Sequence, residues 1–419
     1  MLTSRYAPGD LAAWCAAQSR SLRAQAPLTL EAALREAHTA NAVLPVAAFD
    51  ARIAVARVRE ARGALGPRVS LDGDLHGGAP ARYAGSDGRL QILTDQPLYE
   101  GGALRAGIDI ARAEAGAGRA RFRQAEKDLD LNVRIAFAEL VQLDTVIAVR
   151  REGLARLGSY LAAIEARRAA GEGVGTDVLK TRVQIGVAAA DLGDAGRQRD
   201  QARLTMNDLL GRDLAAPLIL VGPPVPEPPP EPLDSAWAEA PEVRQAVAQQ
   251  AAARSVVTLV AADRRPHLDL SLNAGTQPAF SAFGSGLNNG QGKGAELLLS
   301  FSWPLLDVGV FGARRETARL GLEQAGAAAL AVRRQAHLAW AEARAELAAR
   351  YAEVQTRDRT AATALDSYLS SESLYRGGGT SALDVLDAYD AWIAASEGTA
   401  LAVLQYRVAA AQLERWGTP

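Results

Sequence analysis

The chain has 419 residues, a formal net charge of −2 and 5% aromatic residues. This near-neutral balance, without a cluster of lysine and arginine, argues against a nucleic-acid partner. The single cysteine, Cys15, excludes a disulfide framework, and the four scattered histidines form no metal-ligand motif, so the sequence predicts no metal and no cofactor. No stretch approaches the roughly 18–20 apolar residues of a membrane-spanning helix.

Residues 1–26 precede the first helical pattern and have two interpretations. The triplet Ala24-Gln25-Ala26 fits the small-x-small pattern of a secretory cleavage site. Asp10 and the run to Arg23 interrupt the apolar region that such a signal needs. The segment is therefore either a decayed export signal or a disordered tail.

The first half, residues 27–220, is predicted to contain helices and one β-hairpin. A helix is expected from Leu28 to about Leu65, with Thr29 as its N-cap and a kink or split near residues 42–44 caused by Pro45. Alternating segments at about 68–76 and 89–98 predict two strands, each with one apolar and one polar face. Their length is that of a tilted strand that crosses a bilayer.

The segment QPLYEGG, residues 96–102, is predicted to join the second strand to a long helix. Pro97 is expected to end the strand, and Gly101 and Gly102 allow the chain to turn. From Ala103 to about Arg168 there is no proline, and the apolar residues follow a coiled-coil spacing broken only at Arg150. At roughly 1.5 Å per residue, about 66 residues make a helix near 100 Å long.

The first long helix is expected to end in a glycine-rich tip at residues 169–177, which contains Gly171. Thr176 or Asp177 is predicted to cap a return helix that reaches Leu210-Gly211. A proline-rich linker at residues 221–232 follows and separates the two halves of the chain.

The second half, residues 233–417, repeats the first. Pro97 and Pro304 lie 304 − 97 = 207 positions apart, and the same offset relates Asp177 to Asp384. An offset without gaps over this length predicts a tandem duplication. The second half is thus predicted to contain a helix from Leu233, strands at about 267–274 and 296–303, a joint at Pro304 and Gly309, and a tip at residues 376–384.

Four strands per chain are too few to close a barrel around water, and open sheet edges do not occur in lipid. We therefore expect several copies to close one barrel, with Tyr99 and Trp303 at the lipid interface. The residues expected to face lipid are Val69, Leu71, Leu268, Leu270, Leu297, Leu299, Phe301 and Trp303, and those expected to face the lumen are Asp72, Asp74, Asp269, Asn273, Ser300 and Ser302. A soluble sheet with one wet face fits the same alternation.

Three features together resemble the TolC-like outer membrane efflux family over about residues 28–417. They are the QPLYEGG segment, the duplicated architecture, and the tips GEGVGTDVL and YRGGGTSALDVLDA. The resemblance implies a mainly α fold with a small β-barrel part, in which a homotrimer forms a 12-stranded transmembrane barrel continued by a periplasmic cylinder of antiparallel coiled-coil helices. It also implies the bacterial outer membrane as location, and as partners a periplasmic adaptor (membrane fusion) protein and an inner-membrane transporter of the RND, ABC or similar class.

The resemblance further implies a gate at the second tip. Asp384 and Asp387 match the acidic positions of the family's DVLDA segment, and a trimer would place six carboxylates around one constriction. Repulsion between them would raise their pKa values. In the simpler interpretation, Asp384 caps the return helix and Asp387 is a solvated charge in its first turn.

Tyr375 and Asp177 match positions that link neighbouring tips in closed members of the family. Thr380 stands where such members carry an arginine, so Arg376 is the candidate substitute. The residues expected to contact another hairpin or the adaptor are Gly171, Thr176, Asp177, Tyr375, Arg376 and Gly378.

The leading hypothesis is a passive exit duct of a tripartite efflux or type I secretion system. The alternative is a soluble, elongated coiled-coil scaffold that never meets a membrane. An enzyme is not expected, because no nucleophile–base pair, metal cluster or phosphate loop is present. Two methionines and scattered histidines do not favour a metal ion as cargo.

Overall fold

The computed structural model describes residues 27–78, 85–171, 174–222, 228, 236–276 and 293–416. The predictions for residues 1–26 and for most of the proline-rich linker lie outside these ranges. The helices are α1 Leu30–Ala40, α2 Val43–Gly63, α3 Ala103–Ala169, α4 Gly175–Leu209, α5 Pro241–Ala262, α6 Val310–Arg376 and α7 Ala382–Glu414. The strands are β1 Arg68–Gly78, β2 Gly85–Glu100, β3 His267–Thr276 and β4 Lys293–Ser302. The predicted mainly α fold with four strands is confirmed.

The described residues form two compact units, each built from both halves of the sequence. The unit that we call the tip unit draws on Met1–Leu44, Ala125–Ala236 and Leu338–Pro419. The other, which we call the strand unit, draws on Pro45–Gln124 and Trp237–His337. The tip unit contains both turns between long helices, and the strand unit contains the whole sheet.

The sheet is antiparallel, with the strand order β1-β2-β3-β4. Residues opposite one another share a face, and the register places the predicted apolar residues that lie within the strands on one face and the predicted polar residues on the other. Leu71, for example, lies opposite Ile92, and Leu270 opposite Leu299. Within the described part of the chain, the outer edges of β1 and β4 pair with no strand.

The two strands that lead into the long helices, β2 and β4, do not end where the sequence predicted. Pro97 does not end β2, and that prediction is wrong: pairing with β3 continues through a bulge between Pro97 and Tyr99 as far as Glu100. A bulge tolerates proline, which has no N–H to donate to the ladder. In the second half β4 ends earlier, at Ser302, so Trp303 lies just outside it.

The predicted first helix is split in two, as expected. Thr29 caps α1 by accepting a hydrogen bond from the Ala32 N–H at 3.3 Å. At the break, Asn41 accepts from the Val43 N–H at 2.8 Å and donates to the Leu209 carbonyl at 3.0 Å. Pro45 then lies in the first turn of α2, where its missing N–H costs no helical hydrogen bond.

Two predicted helix starts are wrong. The helix expected from Leu233 begins at Pro241, after a short 3-10 turn at Ala236–Glu239, because proline favours the first helical position. The cap expected at Thr176 or Asp177 is absent. Among the described residues, α4 follows Val174 without a side-chain cap.

The long helices of the two halves match in length and position. Both α3 and α6 have 67 residues, and their ends keep the 207-residue offset. The glycines that flank them match too: Gly102 and Gly309 have φ of 98° and 90°, and Gly171 and Gly378 have φ of 85° and 76°. Positive φ favours glycine at each of these turns.

In the tip unit, apolar clusters of buried side chains join the helices, and two of them are large. The first packs α1 against α3 and α4 through Ala33, Ala37, Phe137, Leu140 and Met206. The second lies near the turns and joins α3, α6 and α7 through aromatic side chains. In the helices that the structure describes, no single one has the length and hydropathy to cross a membrane, although α1 and α2 taken together, as a bent pair, pass on both criteria.

Candidate functional site at the helical tips

The second tip is the turn between α6 and α7, and its backbone is closed by hydrogen bonds. The N–H of Gly379 donates to the Leu374 carbonyl at 2.8 Å, and that of Gly378 donates to the Tyr375 carbonyl at 3.1 Å. These bonds satisfy carbonyls that the end of α6 would otherwise leave free. The chain then enters α7 after only a few residues.

Asp384 holds the start of α7 in a capping box with Ser381. The Asp384 N–H donates to Ser381 Oγ at 3.2 Å, while Asp384 Oδ2 accepts from the Ser381 N–H at 3.0 Å. Oδ2 also accepts from the hydroxyls of Thr380 at 2.7 Å and Ser381 at 2.8 Å. These bonds, the one from Thr380 first, lower the pKa of Asp384, whereas the acidic ring was expected to raise it. Within one chain the N-cap is Ser381, and Asp384 is the third residue of α7, where its carboxylate completes the capping box.

Asp387 is exposed one turn further along α7, and Asp390 follows it. Gln184 of α4 donates to Asp390 Oδ1 at 2.6 Å, so this carboxylate joins the two helical hairpins. Burial, followed by the charge of Asp387, raises the pKa of Asp390. The sequence analysis missed Asp390, although its three-residue spacing from Asp387 was a visible signal.

An aromatic cluster lies directly behind these carboxylates. Tyr368 stacks on Trp392 with ring centroids 5.5 Å apart, and Tyr389 meets Tyr368 edge-on at 5.9 Å. Tyr160 of α3 meets Tyr375 of α6 edge-on at 5.2 Å. All five rings are buried, and burial raises the pKa of Tyr368 to about 12. The cluster holds α3, α6 and α7 together at the tip.

Arg167 links the first hairpin to the end of α6. Its guanidinium donates to the Tyr375 carbonyl and lies 5.2 Å from the centroid of the Tyr375 ring. Arg376, the predicted substitute for the family's arginine, instead pairs with Glu372 of its own helix. Arg167 is therefore one of the side chains that reach across the hairpins, together with Gln184, and it was not among the predicted site residues.

The first tip holds the remaining predicted residues. Gly171 donates its N–H to the Arg168 carbonyl at 3.0 Å, and Thr176 is exposed in the first turn of α4. Burial, followed by the charge of Asp177, raises the pKa of the Tyr375 hydroxyl.

Arg150 connects three helices farther from the tips. It pairs with Glu397 of α7 and donates to the Asp191 carbonyl of α4. The hydrogen bond that Arg150 donates to the Glu397 carboxylate raises the pKa of Arg150, which stays charged. The break in the apolar stripe at Arg150 was the only signal for this contact in the sequence.

The first joint in the strand unit depends on a close backbone approach at Gly101, whereas a Cβ added to Gly309 at the second joint would meet nothing within 4 Å among the described residues. A Cβ added to Gly101, which has φ of +61°, would lie 2.7 Å from the Ala262 carbonyl oxygen. Arg265 donates to the Gly101 carbonyl at 2.7 Å. Tyr99 and Trp303, predicted at the lipid interface, are 47% and 54% exposed.

The described ranges contain no group of three or more histidine, cysteine, aspartate or glutamate side chains that could hold a metal ion. The geometry at the tips is that of carboxylates on an exposed helix face above an aromatic core. The carboxylates give the exposed face of α7 a negative charge, and the aromatic cluster beneath them holds that face in place.

Comparisons with known proteins agree on one family. A family model described as outer membrane efflux protein matches residues 33–212 and 233–416. The chain is 26% identical over 184 residues to the outer membrane efflux protein BepC of Brucella suis biovar 1, a match that covers 44% of this chain and 40% of that relative. The matched segment thus spans about two fifths of the curated relative's length.

Solved structures share the fold. The MtrE outer membrane channel of Neisseria gonorrhoeae is similar with a TM-score of 0.80 at 20% identity, covering 92% of this chain and 88% of that one. The outer membrane protein VceC of Vibrio cholerae is similar with a TM-score of 0.79 at 18% identity, covering 93% and 96%. The resemblance inferred from the tips and the duplication is confirmed.

Proposed function

This chain belongs to the outer membrane efflux protein family, and on that premise we propose that it is the passive exit duct of a tripartite efflux or type I secretion system. It is an outer membrane protein whose helical part lies in the periplasm. The family consists of channel proteins and not of enzymes, and the alternative of a soluble scaffold is not supported. An inner-membrane transporter and a periplasmic adaptor would deliver the substrate.

The two-faced sheet supports this proposal most directly. Its apolar face includes Val69, Leu299 and Phe301, which are 64%, 59% and 66% exposed. Its opposite face carries Asp72, Asp269 and the serines of β4. A closed barrel of such sheets would present the apolar face to lipid and the polar face to a water-filled lumen.

A homotrimer would cover the surfaces that one chain leaves open. On α4, Leu179, Val183 and Val187 form an apolar stripe that is 62%, 67% and 48% exposed. The residue of α7 that corresponds to Leu179 in the repeat is Leu386, which is only 6% exposed. The same residue type is therefore buried in one hairpin and bare in the other, as an interface between copies requires. Three chains with four strands each would make a 12-stranded barrel.

The gate in this proposal lies at the second tip. Asp384 would hold the turn rigid while Asp387 presents its charge to the constriction, with Asp390 behind it. Three copies would surround the axis with carboxylates, which attract cations and repel anions. The adaptor would contact the exposed parts of both tips, including Gly171, Thr176 and Arg376.

A planar bilayer experiment tests this function. Purified protein should insert and conduct with cation selectivity, and Asp387→Asn should lower both that selectivity and the block by multivalent cations. Asp208→Asn is the matched control, because Asp208 is an exposed acid at the far end of α4. Absence of conductance would refute the duct, and unchanged selectivity in Asp387→Asn would refute the gate.

A further inference from the structure

The region where the sheet meets the helices is acidic on the polar side of the sheet. There the end of α2 and the polar face of the sheet border a cavity of about 880 Å³. Asp269, which lies opposite Ser300 on the polar face, is part of its lining. The charged residues of this lining are four carboxylates and two arginines, namely Glu60, Asp95, Glu100, Asp269, Arg57 and Arg68. Carboxylates therefore outnumber cations on this side.

The opposite side of α2 carries two other arginines near the end of the helix. A helix turns by about 100° per residue, so Arg59 and Arg62 point away from the side that lines the cavity with Arg57. Both are exposed, and their side chains make no hydrogen bond or ion pair within the part of the chain that the structure describes. Since α2 ends at Gly63, both lie within about 6 Å of that end along the helix axis.

Two hydrogen bonds fasten the turns before β1 and β3 to the apolar side of the sheet. Gln96, which lies opposite Leu270 on the apolar face, donates from Nε2 to the Leu65 carbonyl at 2.9 Å. Trp303 continues the apolar alternation of β4 and donates from Nε1 to the Arg264 carbonyl at 3.2 Å. The side chain of Arg264 is exposed and, in the described ranges, has no hydrogen bond or ion pair of its own. A third cation thus borders the apolar face where the sheet ends.

The carboxylates next to this apolar side in sequence have other partners. Asp263, which precedes Arg264, pairs with Arg314 at 3.5 Å. Asp307, which follows Trp303, accepts a hydrogen bond from the Phe311 N–H at 3.1 Å. Charge is therefore divided across the joint, with an excess of carboxylates on the polar side and three arginines without a carboxylate on the apolar side, as far as the structure describes the chain.

We propose that Arg59, Arg62 and Arg264 bind the phosphate groups of anionic phospholipids in the periplasmic leaflet of the outer membrane. The proposal rests on insertion of the sheet as part of a barrel, as proposed above. Because the helical part lies in the periplasm, the joint lies at the periplasmic boundary of the membrane. The headgroup layer on each side of a bilayer is about 5–8 Å thick. That thickness matches the length of α2 that carries Arg59 and Arg62.

The chemistry of the surface favours a lipid phosphate over an acidic protein partner. The planar guanidinium of arginine binds phosphate through two parallel hydrogen bonds, and its apolar stem lies along apolar surface while the charge reaches the headgroups. The apolar face of the sheet leads directly to these arginines through Leu65 and Trp303, which are 46% and 54% exposed. A ligand that contacts this face and the arginines together must be apolar at one end and anionic at the other.

Native mass spectrometry of the detergent-solubilised protein tests this contact, with phosphatidylglycerol as the probe and phosphatidylcholine as the neutral comparison. An arginine near an anionic surface strengthens binding about fivefold, so Arg59→Ala with Arg62→Ala should weaken phosphatidylglycerol binding by about 25-fold. Arg57→Ala is the matched control, because Arg57 lies on the cavity side of the same helix, and it should leave binding nearly unchanged. Arg59→Lys with Arg62→Lys should retain most of the affinity, because the charge is kept.

Tryptophan fluorescence gives a second measurement, for the lipid beside Arg264. In phosphatidylcholine vesicles that contain the protein, brominated phosphatidylglycerol should quench Trp303 more than the same fraction of brominated phosphatidylcholine does. Arg264→Ala should remove that preference, because the indole of Trp303 is bonded to the backbone of Arg264. Trp303→Phe identifies the part of the signal that comes from Trp303.

Equal binding of phosphatidylglycerol and phosphatidylcholine to the wild type would overturn the headgroup contact, as would an equal loss of binding in Arg57→Ala and in the Arg59 and Arg62 double variant. Displacement of the lipid by inorganic phosphate at the same concentration would indicate an anion site that needs no membrane, and would overturn the contact too. Wild-type conductance in planar bilayers would leave the duct standing in all of these cases. Absence of that conductance would refute the duct, and with it both proposals.

Discussion

The two tips share a backbone turn and differ in their side chains. Gly171 and Gly378 occupy equivalent positions with φ of 85° and 76°. The second tip closes with the Ser381 capping box, whereas Val174 at the equivalent position of the first tip, 62% exposed, makes no side-chain cap among the described residues. The duplicated halves keep the backbone geometry of the turn, and their side chains have diverged, so that one tip has a capping box and the other has an exposed valine at the same position.

The two tips also differ in charge, because two acidic residues of the second tip have no acidic counterpart in the first. Lys180 stands at the position equivalent to Asp387, and Val183 at the position equivalent to Asp390. The carboxylates are therefore concentrated on one tip of each chain. In the proposed trimer, each chain contributes two tips to the ring. If the two tips were identical, all six would present the same surface, whereas unequal tips allow one of each pair to form the proposed constriction and the other to contact a neighbouring chain.

Of the changes considered, removal of an aromatic side chain from the buried cluster should produce the largest difference in stability between the two tips. Trp392→Ala deletes a ring that is 4% exposed and stacks on Tyr368, so the tip should lose about 3–5 kcal/mol of stability. Ile185→Ala, at the equivalent position of α4, should cost less because Ile185 is only half-buried. Native-state hydrogen exchange of the α7 and α4 amides measures both losses, and equal losses would contradict the comparison.

The caps should have an intermediate effect. Ser381→Ala removes the capping box and should destabilise the start of α7 by about 1 kcal/mol. Val174→Ser should add a cap to α4 and slow the exchange of its first-turn amides, because serine accepts from N–H groups that valine leaves free. The control Val174→Ala should leave these amides unchanged, and a failure of Val174→Ser to slow exchange would show that the first tip cannot adopt the capped geometry.

A change of pH should have the smallest effect on the stability of the second tip. Acidification should remove a stabilising contribution at Asp384 and a destabilising one at Asp390. The folded-state pKa of Asp384 lies below its unfolded value, so its stabilisation is present above the unfolded value and lost as pH falls through the folded one. The pKa of Asp390 is raised, so its charged form costs stability at neutral pH, and that cost disappears as pH falls through its folded pKa.

Two variants separate these contributions when amide exchange of the first turns of α7 is followed against pH. Asp390→Asn should slow exchange at neutral pH, and its advantage over wild type should shrink on acidification. In wild type, the protection factors of these amides, which are the intrinsic exchange rates divided by the measured ones, should fall below about pH 3.9, the ordinary pKa of aspartate, and Asp384→Asn should abolish most of that fall. A response of the same sign at both aspartates would contradict the assigned causes.

The long helices and the sheet faces could be predicted from local pattern. The helix expected from Ala103 to about Arg168 runs from Ala103 to Ala169, because heptad spacing and flanking glycines act within a few residues. The alternation of strand residues likewise decided which side chains share a face. The Ser381-x-x-Asp384 box was also a local signal that the sequence contained.

The sequence by itself determined the duplication, the helices and the two faces of the sheet, since each depends on neighbours along the chain. Only the tertiary structure decided which arginines link the hairpins, because Arg167 and its acceptor at Tyr375 are 208 residues apart, and Arg150 and Glu397 are 247 residues apart. It also decided that Pro97 lies inside a paired strand, since β2 bulges beside Pro97 while its pairing with β3 continues. Hydrogen-bond partners far apart in sequence are chosen by packing, which no local periodicity encodes.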